Sequence, residues 1–194
     1  MKTRCISPID GSIYFEHKTM SLAEAQTAAK KARSAQSNWA DRPLGDRIEL
    51  VKAGIAKIGT MNDEIVPELA WQMGRPIRYG GEFKGFEERA LYMANIAHQA
   101  LAPITIEDSP TFRRIIKRVA HGVILVIAPW NYPYMTAINS IAPALIAGNT
   151  VILKHASQTP SAGIRLAKTF QSVGIPQGVL QNLILDHQIT TELI

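Results

Sequence analysis

The sequence predicts an α/β fold in which N-terminal helices precede a doubly wound, mostly parallel sheet. Three observations carry this. The second half of the chain orders its patterns as strand, helix, strand, helix, strand, and parallel neighbours require such helical crossovers. The segment Val123–Ile127 is apolar at every position, the pattern of a strand buried on both faces. The first half instead carries helical periodicity, and 194 residues with 46% apolar and 19% charged side chains suffice for a hydrophobic core.

Residues 1–20 hold Pro8, Asp10 and Gly11 between short apolar pieces, which predicts a hairpin or extended arm. Ser21 and Glu24 form a capping-box pair ahead of Leu22, Ala25, Ala29, Ala32 and Trp39, so a helix is expected over about 22–39. Its narrow alanine face suits close packing against another helix. After Pro43 and Gly45, the spacing of Ile48, Val51, Ile55 and Ile58 marks a second helix; Asn62 or Asp63 caps a third that stops at Gly74, with Pro76 preventing its return. A fourth, about 82–101, places Phe83, Phe86, Ala90, Met93, Ala97 and Leu101 on one side.

The pattern changes at Pro110. Thr111–Val119 reads as a strand with basic residues around Ile115 and Ile116, followed by a turn at His121–Gly122 and the strand 123–127. Tyr134–Ala147 is apolar almost all round, with Pro133 suited to its first turn, Pro143 expected to kink it and Gly148–Asn149 suited to ending it. A strand Thr150–Leu153 follows, then a helix capped by Thr159 and Pro160 that runs to about Val173, and a third strand at Val179–Leu185. The expected division is an arm and helical region, 1–110, and a partial dinucleotide-binding sheet region, 111–194, joined as one compact unit without a flexible linker.

Composition narrows the function. No apolar run approaches the roughly 20 residues needed to span a bilayer, and Met1–Glu16 lacks the apolar core of a secretory signal, so a soluble, cytoplasmic protein is expected. The single cysteine, Cys5, forms no intrachain disulfide, and its place in an end expected to be mobile makes it a poor nucleophile. No metal-ligand spacing is present. Between Ser109 and Leu185 there is no acidic residue, whereas Arg113, Arg114, Lys117, Arg118, Lys154, Arg165 and Lys168 are cationic. Such a half can attract an anionic ligand or nucleic acid, but four of the charges cluster ahead of a hydrophobic run and no basic stripe with interleaved aromatics accompanies them, so the charge reads as ordinary surface and nucleic acid is not expected as a partner.

In open α/β sheets ligands bind beyond the carboxyl ends of strands. Asn131 stands there, after strand 123–127, where its side-chain NH2 can donate to a developing oxyanion or simply close an Asx turn between two prolines. Lys154 follows the next strand, where it can reach a phosphate or a ribose hydroxyl or snorkel to solvent. Ser157 and Gln158 offer hydrogen bonds in the same loop, and His155 reads as a loop residue. Trp130 can stack on a planar cofactor or fill a gap against the sheet. Gly80, Gly81 and Gly85 are no dinucleotide fingerprint, since no strand precedes them.

Taken together, Pro129-Trp130-Asn131-Tyr132-Pro133, Ala142-Pro143-Ala144-Leu145, Ala147-Gly148-Asn149-Thr150-Val151 and Lys154-His155-Ala156-Ser157-Gln158-Thr159-Pro160 resemble the cofactor-side signature of the aldehyde dehydrogenase superfamily, in its NADP-tolerant, semialdehyde-dehydrogenase-like members. Ala40–Leu44, Glu68–Pro76 and Gly174–Val179 extend the likeness over nearly the whole chain. The resemblance implies an incomplete, Rossmann-like dehydrogenase fold and NAD(P)-dependent oxidation of an aldehyde to a carboxylic acid through a cysteine thiohemiacetal and thioester. It makes Asn131 the oxyanion donor; Ile127, Ala128, Pro129 and Trp130 the surface against which the cofactor lies; Lys154 the ribose ligand; and Ala156 and Ser157 the adjoining cofactor loop. It also makes the strand around Arg113–Ala120 a contributor to a homo-oligomer.

Two departures follow. Where many NAD-preferring members carry a glutamate, Ser157 removes the repulsion of a 2′-phosphate, so NADP is expected to be tolerated or preferred. The family's cysteine nucleophile and glutamate base have no counterpart, so the chain reads as an N-terminal portion without the catalytic domain, inactive in isolation. The alternative reading is a non-catalytic nucleotide-binding or assembly protein.

Overall fold

The computed structural model describes residues 2–194. A hairpin of β1 (Lys2–Ile6) and β2 (Ile13–Lys18) opens the chain, as the Pro8-to-Gly11 pattern predicts. Helix α1 (Leu22–Ala40) begins at the expected capping box, in which Ser21 accepts from the Glu24 N–H and the Glu24 carboxylate accepts from the Ser21 N–H. Helices α2 (Leu44–Gly59), α3 (Asn62–Met73) and α4 (Phe83–Ala100) follow. Asn62 and Asp63 lie inside α3 rather than capping it from outside. Gly74 ends it at φ 74°, a left-handed conformation that glycine adopts without steric cost.

The strand expected over 111–119 is shorter. Only Arg113–Ile116 forms β4, and it pairs antiparallel with β3 (Ile104–Asp108), which the sequence reading left out. The two make an exposed ribbon apart from the main sheet.

The main sheet is wholly parallel, in the order β5 (Val123–Ala128), β6 (Thr150–His155), β7 (Leu180–Leu183). Helix α5 (Pro133–Ile146) connects the first two strands and α6 (Pro160–Ser172) the second two. Side chains alternate between the faces of a strand. Val151 and Leu153 pack with Ile138, Ile141, Leu145, Leu166 and Phe170 of α5 and α6, and α2 and α4 close that layer from outside. Ile152, Leu183 and Leu185 meet Ala25, Ala28 and Ala32 on the other side. The alanine stripe of α1 therefore packs against the sheet, with Ile189 and Leu193 near the C-terminus joining the same cluster. Helices cover both faces, as expected of a doubly wound sheet. The C-terminal α7 (His187–Leu193), capped by Asp186, adds to the α1 side.

Two expectations about strand burial need correction. β5 is not buried on both faces: it lies at the sheet edge, and Ile127 is 56% exposed. β6 is the central strand and runs two residues further than its apolar stretch, so Lys154 and His155 belong to the strand and are buried within it.

Candidate functional site

Parallel register places the candidates. Ile127 pairs with Lys154 and Ala128 with His155, so β5 and β6 end together and Asn131 follows within three residues of that shared edge. Lys154 shares its side of β6 with Ile152, facing α1, and it lies beside exposed Ile127. It is only 7% exposed, and burial lowers its pKa while the Asp186 carboxylate partly restores it. Its ammonium has no hydrogen-bond acceptor among the described residues. A cation so placed gains from a ligand that brings oxygens to it.

His155 points to the opposite face and is no loop residue. Its Nε2 meets the Pro133 carbonyl at 3.1 Å, so this nitrogen carries the proton and Nδ1 can accept from the Thr159 hydroxyl at 3.4 Å. Burial holds its pKa below the ordinary histidine value. The residue is a neutral strut between β6 and the start of α5.

Trp130 is 51% exposed and fills no gap in the core. Asn131 lies in an exposed turn, where its side-chain oxygen accepts from the Tyr132 N–H at 3.2 Å. That Asx contact occupies the oxygen and leaves the NH2 end of the carboxamide as the available donor. Ala156 and Ser157 border a hollow of only about 10 Å³ with Thr3, Pro160 and Asn182. A hollow of that size admits no nucleotide. α6 comes very close to β7 at this point: a Cβ on Gly163 would sit 2.2 Å from the Asn182 Oδ1. Gln158 is structural, its side-chain amide donating to the Ile6 carbonyl at 3.1 Å and also to that of Gln72.

Cys5 is not in a mobile end. It is fully buried in β1, its thiol 3.0 Å from the Gln158 carbonyl, and burial pushes its pKa to about 11. At pH 8 the thiolate fraction is then about 10⁻³. Iodoacetamide is expected to leave the native chain unlabelled and to label it once in 8 M urea; mass spectrometry showing rapid native labelling would contradict this burial.

Sequence reading missed a cleft of about 570 Å³ that begins one residue past Asn131, lined by Arg75, Tyr79, Glu82, Lys84, Tyr132 and Met135 among others. Arg75 donates to the Asn131 carbonyl at 2.8 Å and to Glu82 at 2.8 Å, and its guanidinium lies 4.8 Å from the centre of the Tyr132 ring. Glu82 in turn accepts from the N–H groups of Tyr134 and Met135 at 3.0 and 2.8 Å. The one local signal was Gly85, where a Cβ would fall 2.7 Å from the Met135 sulfur, a mark of how closely α4 approaches α5.

Comparisons with known proteins identify the family. A family model described as "Aldehyde dehydrogenase family" matches residues 1–194. Vanillin dehydrogenase of Corynebacterium glutamicum is 32% identical over 95% of this chain and 40% of its own length. Succinate-semialdehyde dehydrogenase [NADP(+)] of Deinococcus radiodurans is 29% identical over 93% of this chain and 38% of its own. Among solved structures, 3,6-anhydro-L-galactose dehydrogenase in complex with NAP superposes with a TM-score of 0.92 at 26% identity, covering 100% of this chain and 41% of that one. The NAD-dependent benzaldehyde dehydrogenase of C. glutamicum superposes with a TM-score of 0.86 at 28% identity, covering 99% and 42%. The chain thus spans about two fifths of the relatives it matches.

Proposed function

The chain belongs to the aldehyde dehydrogenase family, and from that premise we propose that it forms the cofactor-side part of an enzyme that oxidises an aldehyde to a carboxylic acid with NAD(P)+. The observation that carries this reading is the shared edge of β5 and β6, where Lys154 registers with Ile127 and Asn131 follows in the next turn. Asn131 donates its side-chain N–H to the developing oxyanion. Ile127, Ala128, Pro129 and Trp130 form the surface for the cofactor, a role that suits the exposed apolar groups of Ile127 and Trp130. Lys154 holds a ribose hydroxyl, with Ala156 and Ser157 beside it. The bound NAD(P)+ supplies the hydride acceptor. Residues 1–110 serve as arm and supporting helices, residues 111–194 as the cofactor region.

Cys5, the chain's only cysteine, is buried and protonated, so the 194-residue chain offers no accessible thiolate and is inferred to be inactive alone. The exposed isoleucines 104, 106, 115 and 116 of the β3–β4 ribbon favour use in a homo-oligomer, and the same observation supports the second reading, a non-catalytic assembly protein. We also place the protein in the cytoplasm; among the described residues no helix is long and apolar enough to cross a membrane.

Calorimetric titration tests the cofactor assignment. The parent chain is expected to bind NADP+ at least as tightly as NAD+, and Ser157→Glu to weaken NADP+ by about tenfold or more through repulsion of the 2′-phosphate while sparing NAD+. Unchanged affinities for both nucleotides would remove Ser157 from the site. Failure of Lys154→Met to weaken either nucleotide would remove the shared edge itself.

A further inference from the structure

A side-chain donor stabilises a transition state only if it is held in place beforehand. Asn131 sits in an exposed turn between Trp130 and Pro133, where local sequence supplies only its own contact to the Tyr132 N–H. We propose that Arg75 is the positioning residue for Asn131, clamping the 130–133 turn from the C-terminal end of α3; its functional meaning rests on the reading of Asn131 as an oxyanion donor.

One planar guanidinium meets three parts of the clamp. Its Nη2 donates to the Asn131 carbonyl at 2.8 Å, its Nη1 donates to Glu82 at 2.8 Å, and its face covers Tyr132 at 4.8 Å. The second oxygen of Glu82 fastens the first turn of α5 through the N–H groups of Tyr134 and Met135. Residues 131, 132, 134 and 135 are therefore tied to one ion pair whose members are both largely buried, at 12% and 2% side-chain exposure. Arg75 is itself fixed, following the left-handed Gly74 and preceding Pro76, which restricts it to extended backbone. Arg75 lines the cleft, and two of its N–H donors and one face of its guanidinium are held by these three partners, which ties it to the turn. A lysine cannot reproduce the arrangement, because a point charge on a flexible stem has neither fork nor plane.

Nitrogen-15 relaxation on the 194-residue chain tests this. The Asn131 and Tyr132 amides are expected to show order parameters of about 0.85 in the parent and below about 0.6 in Arg75→Met, with Arg75→Lys between them and the α1 amides unchanged. The Asn131 side-chain NH2 pair, identified by its loss in Asn131→Asp, is expected to move to the shifts of a freely rotating amide in Arg75→Met. Should that variant not fold, Tyr132→Leu removes only the ring contact and is expected to loosen the same two amides to a smaller degree. Unchanged order at 131 and 132 in the folded variants would overturn the proposal, as would a shift of the Arg75 Nε–H signal on adding succinate with no change at the turn. Because relaxation is read without nucleotide, loosening confined to the turn supports the clamp even where calorimetry rejects the cofactor reading.

Discussion

Replacing Glu82 with alanine is expected to cost about 3–5 kcal/mol of unfolding free energy, read by urea denaturation, because it leaves a buried guanidinium without its partner. The Glu82 side chain is 2% exposed and that of Arg75 12%, so water from the adjoining cleft replaces the missing carboxylate only in part. The loss has a second component. Helix α5 starts with Pro133, which has no N–H, and Tyr132 makes no side-chain cap, so the free donors of Tyr134 and Met135 depend on Glu82. The same residue is the N-cap of α4, accepting the Phe86 N–H through its own carbonyl. One side chain thus governs the meeting of two helices. Glu82→Gln keeps a carbonyl oxygen for the α5 donors and is expected to cost less, about 1–3 kcal/mol.

The pH dependence separates the parent from both variants. Burial is the largest influence on the Glu82 carboxyl and raises its pKa, against the pull of the two N–H groups and Arg75. Below the ordinary carboxylate value both folded and unfolded states are protonated there, and the stability that the neutral group contributes is fully present. As pH rises into the interval between the ordinary and the raised value, the unfolded state ionises first, so stability declines, and it levels off above the raised value. Glu82→Gln is expected to abolish that decline; a parallel pH profile in parent and variant would show that Glu82 does not titrate differently on folding.

Local signals in the sequence were the readable ones. The Ser21–Glu24 pair and Gly74 announced helix ends because a cap acts within a few residues. Asn131 and Lys154 could be singled out because each lies close to the end of an apolar stretch. What depended on distant neighbours was lost. The apolar run of β5 does not reveal that the strand lies at an edge. Lys154 and His155 look like loop residues until the central strand buries them and Pro133 offers His155 a carbonyl. β3 became a strand only through pairing with β4, in a register with an irregularity between Thr105 and Glu107. Arg75 and Glu82 stand about fifty residues before the turn they hold. Glu82 in particular reads from sequence as nothing more than an acidic residue at the start of its own helix.

The far end of α5 repeats this dependence, and there Trp39→Ala is expected to cost about 3–5 kcal/mol, a large share of the ordinary stability of a domain. The periodicity of α1 marks Trp39 only as one more apolar position. In the fold it is 1% exposed, and its indole N–H donates to the Leu145 carbonyl at 2.9 Å. Helix α5 has no basic residue in its last turn, so its final carbonyls need partners from elsewhere. Ala147 N–H takes that of Pro143, Asn149 N–H that of Ala144, Gly148 N–H and Trp39 that of Leu145, and the Arg47 Nε that of Ile146 at 2.9 Å. Truncation at 39 therefore opens a cavity and weakens this termination at once. Trp39→Phe keeps most of the volume and isolates the hydrogen bond, for which about 1 kcal/mol is expected. If denaturation gave the two variants equal losses, the indole N–H rather than core filling would be the dominant contribution. The effect should reach the site as well, because α5 runs without interruption from the turn of Asn131 to this latch. A helix loosened at Leu145 and Ile146 can shift against β5 and β6, and the expected sign is weaker NADP+ binding in Trp39→Ala than in Trp39→Phe under conditions where both remain folded.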